Sequence, residues 1–232
     1  MVRLVVGITG ATGSVIGIRI LRGLRTLGVE THLVLSRWGR ATLEMETDLS
    51  VAEVCQLAHQ VYGPGDVAAP ISSGSFRTNG MIIAPCSMKT LAAVRTGYGE
   101  GLIPRAADVT IKERRRLVLV PRELPLSEIH LENMLALSRM GVVIAPPVPA
   151  FYTRPETVEE IVTHIAARVL DQFGLELPGV PRWSGPERGL STPEASKVSH
   201  HRRQRPMRAQ HTRGGQHPHQ RGAQGVAGLS TT

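Results

Sequence analysis

The chain has 232 residues, 41% of them hydrophobic and 20% charged, a balance that fits one α/β domain better than two domains or a disordered protein. Two cysteines, Cys55 and Cys86, are too few and too far apart for a disulfide scaffold or a zinc cluster, and they suit a reducing cytoplasm. The formal charge of +8 is no nucleic-acid signal for the folded part: residues 1–183 carry 19 Lys and Arg against 17 Asp and Glu, and residues 184–232 carry 8 against 2.

In chain order, Arg3–Ile8 is a short, apolar, β-branched run that reads as a buried strand. The glycine turn Thr9-Gly-Ala-Thr-Gly-Ser follows, and then a helical pattern to Leu27. Glu30–Leu35 reads as a second strand and Trp38–Thr47 as a second helix. Between Ser50 and Ser75 the pattern weakens to one short helix, Val51–Ala58, and Gly/Pro/Ser-rich connections. Gly80-Met-Ile-Ile-Ala-Pro is the next strand and runs into a helix at Ser87–Arg95. A helix over Ile103–Arg116, the strand Leu117-Val-Leu-Val-Pro, a helix over Ser127–Arg139 and a strand from Val142 follow, and an amphipathic helix opened by proline, Pro155–Phe173, ends the series. Met1–Gly7 shows no basic stretch leading into an apolar segment, and no run approaches a membrane span, so neither secretion nor membrane insertion is expected.

Uniformly apolar strands alternating with helices imply a three-layer α/β architecture, with a mostly parallel sheet covered by helices on both faces. Ligands then belong outside the carboxyl ends of the strands. From Ser184 the composition shifts to Arg, His, Gln, Gly and Pro, with almost no large apolar residue after Leu190. Residues 184–232 are therefore expected to form a basic, disordered tail with no core.

Gly7-Ile-Thr-Gly-Ala-Thr-Gly-Ser lies at a strand–helix junction, where backbone N–H groups and a helix start can hold a phosphate. Such turns also arise for steric reasons alone. The spacing Gly7, Gly10, Gly13 is not G-x-G-x-x-G, so NAD is not expected. Ala84-Pro-Cys-Ser-Met-Lys-Thr places two hydroxyls and a lysine at another strand-to-helix turn, where Ser87 is also a good N-cap. Cys86 reads as packing before nucleophile. Lys112-Glu-Arg-Arg-Arg reads first as a solvated charge run at a helix end. Arg122-Glu123 differs, because it falls at a strand end, where an arginine clamps a phosphate well. His130, near a helix start, reads as a capping or packing group before a general base. Phe151-Tyr152 follows a Pro-rich loop at 146–149, and Arg168 lies within the last helix.

Together these segments resemble the UbiX/Pad family of flavin prenyltransferases, especially members that serve phenolic-acid decarboxylases, over nearly all of residues 1–183. The carriers are Gly7-Ile-Thr-Gly-Ala-Thr-Gly, Glu44-Met-Glu-Thr, Ile71-Ser-Ser-Gly-Ser-Phe-Arg-Thr, Pro85-Cys-Ser-Met-Lys-Thr-Leu, Arg105-Ala-Ala-Asp-Val, Leu117-Val-Leu-Val-Pro-Arg-Glu, Ile129-His-Leu-Glu-Asn-Met and Ala150-Phe-Tyr. The resemblance implies a Rossmann/flavodoxin-like flavoprotein domain over residues 1–183. It implies transfer of a dimethylallyl group from dimethylallyl monophosphate to reduced FMN, without a metal. The product, prenylated FMN, would pass to a UbiD-type phenolic acid decarboxylase. A homo-oligomer is implied as well, a dodecamer whose sites are completed by neighbouring subunits.

Position by position, the resemblance assigns Gly10, Ala11, Thr12, Ser36, Ser87, Met88, Lys89 and Thr90 to FMN, with Arg122 on its phosphate side. Lys112, Glu123, Tyr152 and Arg168 match residues that handle the prenyl phosphate, and Glu46 matches an acidic residue of the active site. Glu123, Glu46 and Lys112 are thus the catalytic candidates. Allylic substitution needs its phosphate leaving group stabilised, for which Lys112, Arg168 and the Tyr152 hydroxyl are suitable donors. Glu123 is suited to take or relay a proton. Thr12 stands where many members have serine, and Met88-Lys89 where others have Thr-Gly, so contacts at 88–89 are expected through the backbone. The competing class is the flavin-dependent cysteine decarboxylases, with an early catalytic histidine and a Pro-x-Met-Asn-x-x-Met-Trp segment; neither stands in this sequence. A nucleic-acid-binding module would rest on the tail alone, without interleaved aromatics.

Overall fold

Six strands and seven helices alternate along residues 2–185, which are the residues described by the computed structural model. The strands are β1 (Arg3–Ile8), β2 (Glu30–Leu35), β3 (Gln60–Tyr62), β4 (Gly80–Cys86), β5 (Arg116–Pro121) and β6 (Val143–Ile144). The helices are α1 (Ser14–Thr26), α2 (Arg37–Glu46), α3 (Val51–Cys55), α4 (Met88–Thr96), α5 (Leu102–Lys112), α6 (Glu128–Arg139) and α7 (Val158–Leu170). All but the first two residues of the expected tail lie outside the described residues. No helix among the described residues is long and apolar enough to cross a membrane.

The sheet order is β3-β2-β1-β4-β5-β6, and every neighbouring pair is parallel, where the sequence led us to expect a mostly parallel sheet. Strand order reverses between β1 and β4, which opens a crevice at their carboxyl ends. Alternate residues of each strand face opposite layers. Leu4, Val6 and Ile8 of β1, with Ile82 and Ala84 of β4, pack under α1 and α7; Val5, Met81 and Ile83 pack under α4 and α5.

Four elements differ from the sequence reading. β3 stands within the stretch read as connection, because three residues at a half-exposed sheet edge carry no readable alternation. α3 stops at Cys55 instead of Ala58. α5 stops at Lys112 instead of Arg116: Arg114 takes a left-handed φ of 57°, which breaks the helix, and Arg116 already belongs to β5. α7 starts at Val158, since Thr157 caps it by accepting from Glu160 N–H at 3.2 Å, so Pro155 does not open it.

Toward the amino edge, polar and aromatic groups of several elements interlock. Glu30 accepts from Arg3 Nε at 2.7 Å and lies 2.9 Å from His32 Nε2. His32 Nδ1 is 2.9 Å from the Tyr62 hydroxyl, its ring stacks on Tyr62, and Phe76 meets it edge-on. The Arg3 guanidinium lies over the Phe76 ring. The hydrogen bond from Arg3, then that from His32, hold the Glu30 carboxyl well down, at a pKa of about 2.

Candidate functional site

β1, β2 and β4 each run directly into a helix, so the amino ends of α1, α2 and α4 meet at the carboxyl edge of the sheet beside the β1–β4 crevice. A helix start presents N–H groups without partners in the helix, and a partial positive charge. Three such starts, with Arg122 at the end of β5, form a rim suited to an anionic ligand.

Thr9 pins this rim. Its hydroxyl donates to the Pro85 carbonyl at 2.8 Å and accepts from Ser87 N–H at 2.8 Å, which ties the turn after β1 to the turn after β4. Ser36 N–H donates to the Ile8 carbonyl at 3.0 Å, and Arg122 N–H to the Cys86 carbonyl at 3.3 Å. Gly10 brings the first turn against α2 so closely that a Cβ there would collide with Trp38. Ser36 caps α2 by accepting from Gly39 N–H at 2.9 Å. Ser87 caps α4 by accepting from Thr90 N–H at 3.3 Å, and its hydroxyl shares a 3.0 Å hydrogen bond with that of Thr90.

The α1 start is different. Gly13, at φ 104°, offers no side chain to cap it, and the cap comes from the last residue of α2. Glu46 accepts from Gly13 N–H at 3.0 and 3.1 Å and from Ser14 N–H at 2.8 Å. Burial is the largest single influence on Glu46 and raises its pKa. The Thr12 hydroxyl and the N–H groups of Ser14 and Gly13 together outweigh burial, so the carboxyl is held below the usual glutamate range and stays an anion. The Gly13 and Ser14 N–H groups of the glycine turn thus hold a carboxylate. The Ser14 hydroxyl beneath is fully buried and has no hydrogen-bond partner.

Within one chain the remaining candidates fall in separate places. Glu123 follows Arg122 at the rim and is exposed, its carboxylate accepting from Leu124 N–H at 3.2 Å. Lys112 ends α5 at the amino edge and pairs with Glu113 at 2.6 Å. The six residues of β5 put about 20 Å between that edge and Arg122. Tyr152 and Arg168 lie on the β6 flank of the sheet, where two adjoining cavities of about 330 and 410 Å³ share them. The structure thus gathers Gly10–Thr12, Ser36, Glu46, Ser87–Thr90, Arg122 and Glu123, and joins Tyr152 to Arg168, but does not bring Lys112 to either group. Cys86 is fully buried, and burial pushes its thiol up, out of the reactive range. His130 caps α6 together with Ser127: Ser127 N–H donates to His130 Nδ1, and His130 N–H to the Ser127 hydroxyl, both at 3.3 Å. Sequence reasoning did not single out Thr9 or His164; Thr9 sat inside the glycine turn, but its partners are 76 and 78 residues away.

Comparison with known proteins gives concordant results. A family model described as Flavoprotein matches residues 1–170. A probable UbiX-like flavin prenyltransferase of Streptomyces sp. (strain D7) is 68% identical over 184 residues, covering 79% of this chain and 92% of its own. Among solved structures, a dodecameric FMN-dependent UbiX-like decarboxylase from Escherichia coli O157:H7 superposes with a TM-score of 0.78 at 62% identity, covering 79% of this chain and 100% of that one. AnUbiX (PadA1), solved in complex with FMN and dimethylallyl pyrophosphate, gives a TM-score of 0.79 at 55% identity and covers 80% and 99%. The FMN-dependent cysteine decarboxylase SpaF, at 16% identity and a TM-score of 0.53, shares the fold alone.

Proposed function

This chain belongs to the Flavoprotein family, among its UbiX-like flavin prenyltransferases, and on that premise we propose that it joins the dimethylallyl group of dimethylallyl monophosphate to reduced FMN. The observation that carries the reading is the rim itself, where helix starts and Arg122 converge under the Thr9 crosslink. FMN fits this donor set. The hydroxyls of Thr12, Ser36, Ser87 and Thr90, the backbone of Gly10, Ala11, Met88 and Lys89, and Arg122 would hold it. Glu46, the carboxylate among them, is engaged by the N–H groups of Gly13 and Ser14, which leaves the starts of α2 and α4 and Arg122 for an anion. Reduced FMN supplies the electron-rich ring that accepts the prenyl carbon.

The chain's own residues serve the other half of the reaction. Breaking the allylic C–O bond leaves negative charge on phosphate, and Tyr152, Arg168 and Lys112 stabilise it as donors. Glu123 accepts the proton released as the new carbon bonds form. Lys112 lies on the far edge of its own subunit, and a relative of 62% identity is a dodecamer. Both facts support a homo-oligomer in which Lys112 of one copy serves the rim of another. The prenylated FMN would leave for a UbiD-type phenolic acid decarboxylase, and residues 1–183 would suffice as the enzyme domain. The two free cysteines suit the cytoplasm.

The test is the mass of the flavin released after incubation with FMN, a reductant and dimethylallyl monophosphate. A gain of one prenyl unit is expected, and unmodified FMN alone would overturn the reading. Shared sites have their own test: coexpressed Lys112→Ala and Glu123→Gln chains should form mixed oligomers that regain activity, whereas no recovery would place both residues in one chain's site.

A further inference from the structure

We propose that His164 is a positioning residue that aims the Tyr152 hydroxyl at the phosphate of the prenyl donor. The proposal rests on the reading of Tyr152 and Arg168 as phosphate donors, and it explains how two residues on different elements come to act together.

His164 lies within α7, 8% exposed, with its Nε2 3.0 Å from the Tyr152 hydroxyl oxygen. The Tyr152 ring stands edge-on to His164 at 82° and edge-on to Trp183 at 75°. It is therefore gripped on two sides while remaining 47% exposed. His164 and Arg168 are four positions apart, so the two lie on one face of α7, about 6 Å apart. Both border the same two cavities as Tyr152. Asp171 accepts from Arg168 and takes Arg182 on both of its oxygens, which steadies the guanidinium beside them.

The direction of the histidine–tyrosine hydrogen bond decides what the tyrosine can do. With Nε2 as acceptor, the phenol proton is spent on the imidazole, and Tyr152 turns only lone pairs toward an anion. With Nε2–H as donor, the phenol oxygen is satisfied by histidine and its proton points to the phosphate. A bound phosphate ester thus selects the Nε2–H form, and histidine serves both the empty and the filled site by changing tautomer.

Steady-state kinetics of the FMN-loaded oligomer with dimethylallyl monophosphate test this. His164→Leu should raise KM about tenfold, as expected for losing one aimed hydrogen bond to a charged group. His164→Gln keeps an N–H donor of similar reach and should return KM to within about threefold of the parent. Should the leucine variant lose FMN, His164→Phe, which keeps a planar ring, carries the same comparison. Tyr152→Phe should raise KM by a similar factor, and adding His164→Leu to it should change nothing further. A further rise in the double variant, no rescue by glutamine, or a KM raised in Tyr152→Phe but unchanged in His164→Leu each overturns the proposal. An unchanged KM in Tyr152→Phe overturns the phosphate role of Tyr152 and the proposal with it.

Discussion

The carboxylate of Glu46 is the amino-terminal cap of α1, accepting from Ser14 N–H at 2.8 Å across 32 residues of sequence. An anionic cap of this kind contributes about 1 kcal/mol. Glu46→Gln keeps an acceptor oxygen and removes the charge, so FMN-free protein should lose stability of about that size near pH 7. The folded pKa lies below the ordinary glutamate value of 4.5, so the parent's advantage is present above that value and is lost as pH falls through the folded pKa. Melting curves of parent and variant should therefore stay apart above pH 4.5 and converge as the pH falls through the lowered pKa of Glu46. A gap that stays constant would contradict the cap.

Glu123 stands at the rim with one hydrogen bond among the described residues, from its neighbour Leu124. Glu123→Gln removes proton-accepting capacity with almost no change of shape. It should keep FMN and lose prenyl transfer by about 10²-fold, the ordinary size for an acid–base group. Single-turnover rates equal to the parent's would take Glu123 out of the chemistry.

Thr9→Val keeps the shape of a buried side chain and deletes both hydrogen bonds of its hydroxyl. The Pro85 carbonyl retains Thr9 N–H at 3.2 Å, so Ser87 N–H is the group left without its partner. The expected cost is about 1–3 kcal/mol, together with weaker FMN retention, because the α1 and α4 starts are then tied by that backbone hydrogen bond alone. Fluorescence titration with FMN and a thermal melt on one sample measure both. Unchanged FMN affinity would show that the crosslink serves the sheet and not the rim.

Removing the residues after Gly189 should leave FMN content, oligomeric mass and prenyl-transfer rate unchanged, since residues 184–232 carry +6 of the formal charge and almost nothing to bury. Salt-sensitive retention on nucleic acid should fall. Loss of flavin, or smaller assemblies on sizing, would make the tail part of the enzyme.

The sheet and the rim were legible in the sequence because their signals are local. Leu4–Ile8 is apolar at every position, and a glycine turn follows at once, so strand, turn and helix could be placed from neighbours alone. Ser36 and Ser87 were visible as hydroxyls just before helices. β3 was not visible, because three residues at an edge leave no period to read. The end of α5 was hidden too: Lys112-Glu-Arg-Arg-Arg suits a helix residue by residue, and the break depends on the backbone turning at Arg114. What Glu46 and Thr9 do is a matter of partners far away in sequence, and His164 meets Tyr152, 12 residues away, across an irregular connection before α7 that has no period to read. Lys112 shows the limit most clearly, since its place is fixed by α5 while the use proposed for it requires another copy of the chain.

The knot of Arg3, Glu30, His32, Tyr62 and Phe76 lies toward the edge of the sheet away from the flavin rim. Selection can thus adjust the sheet around His32 at a distance from Arg122, whereas any change at Thr9 bears on the fold and on the ligand at once.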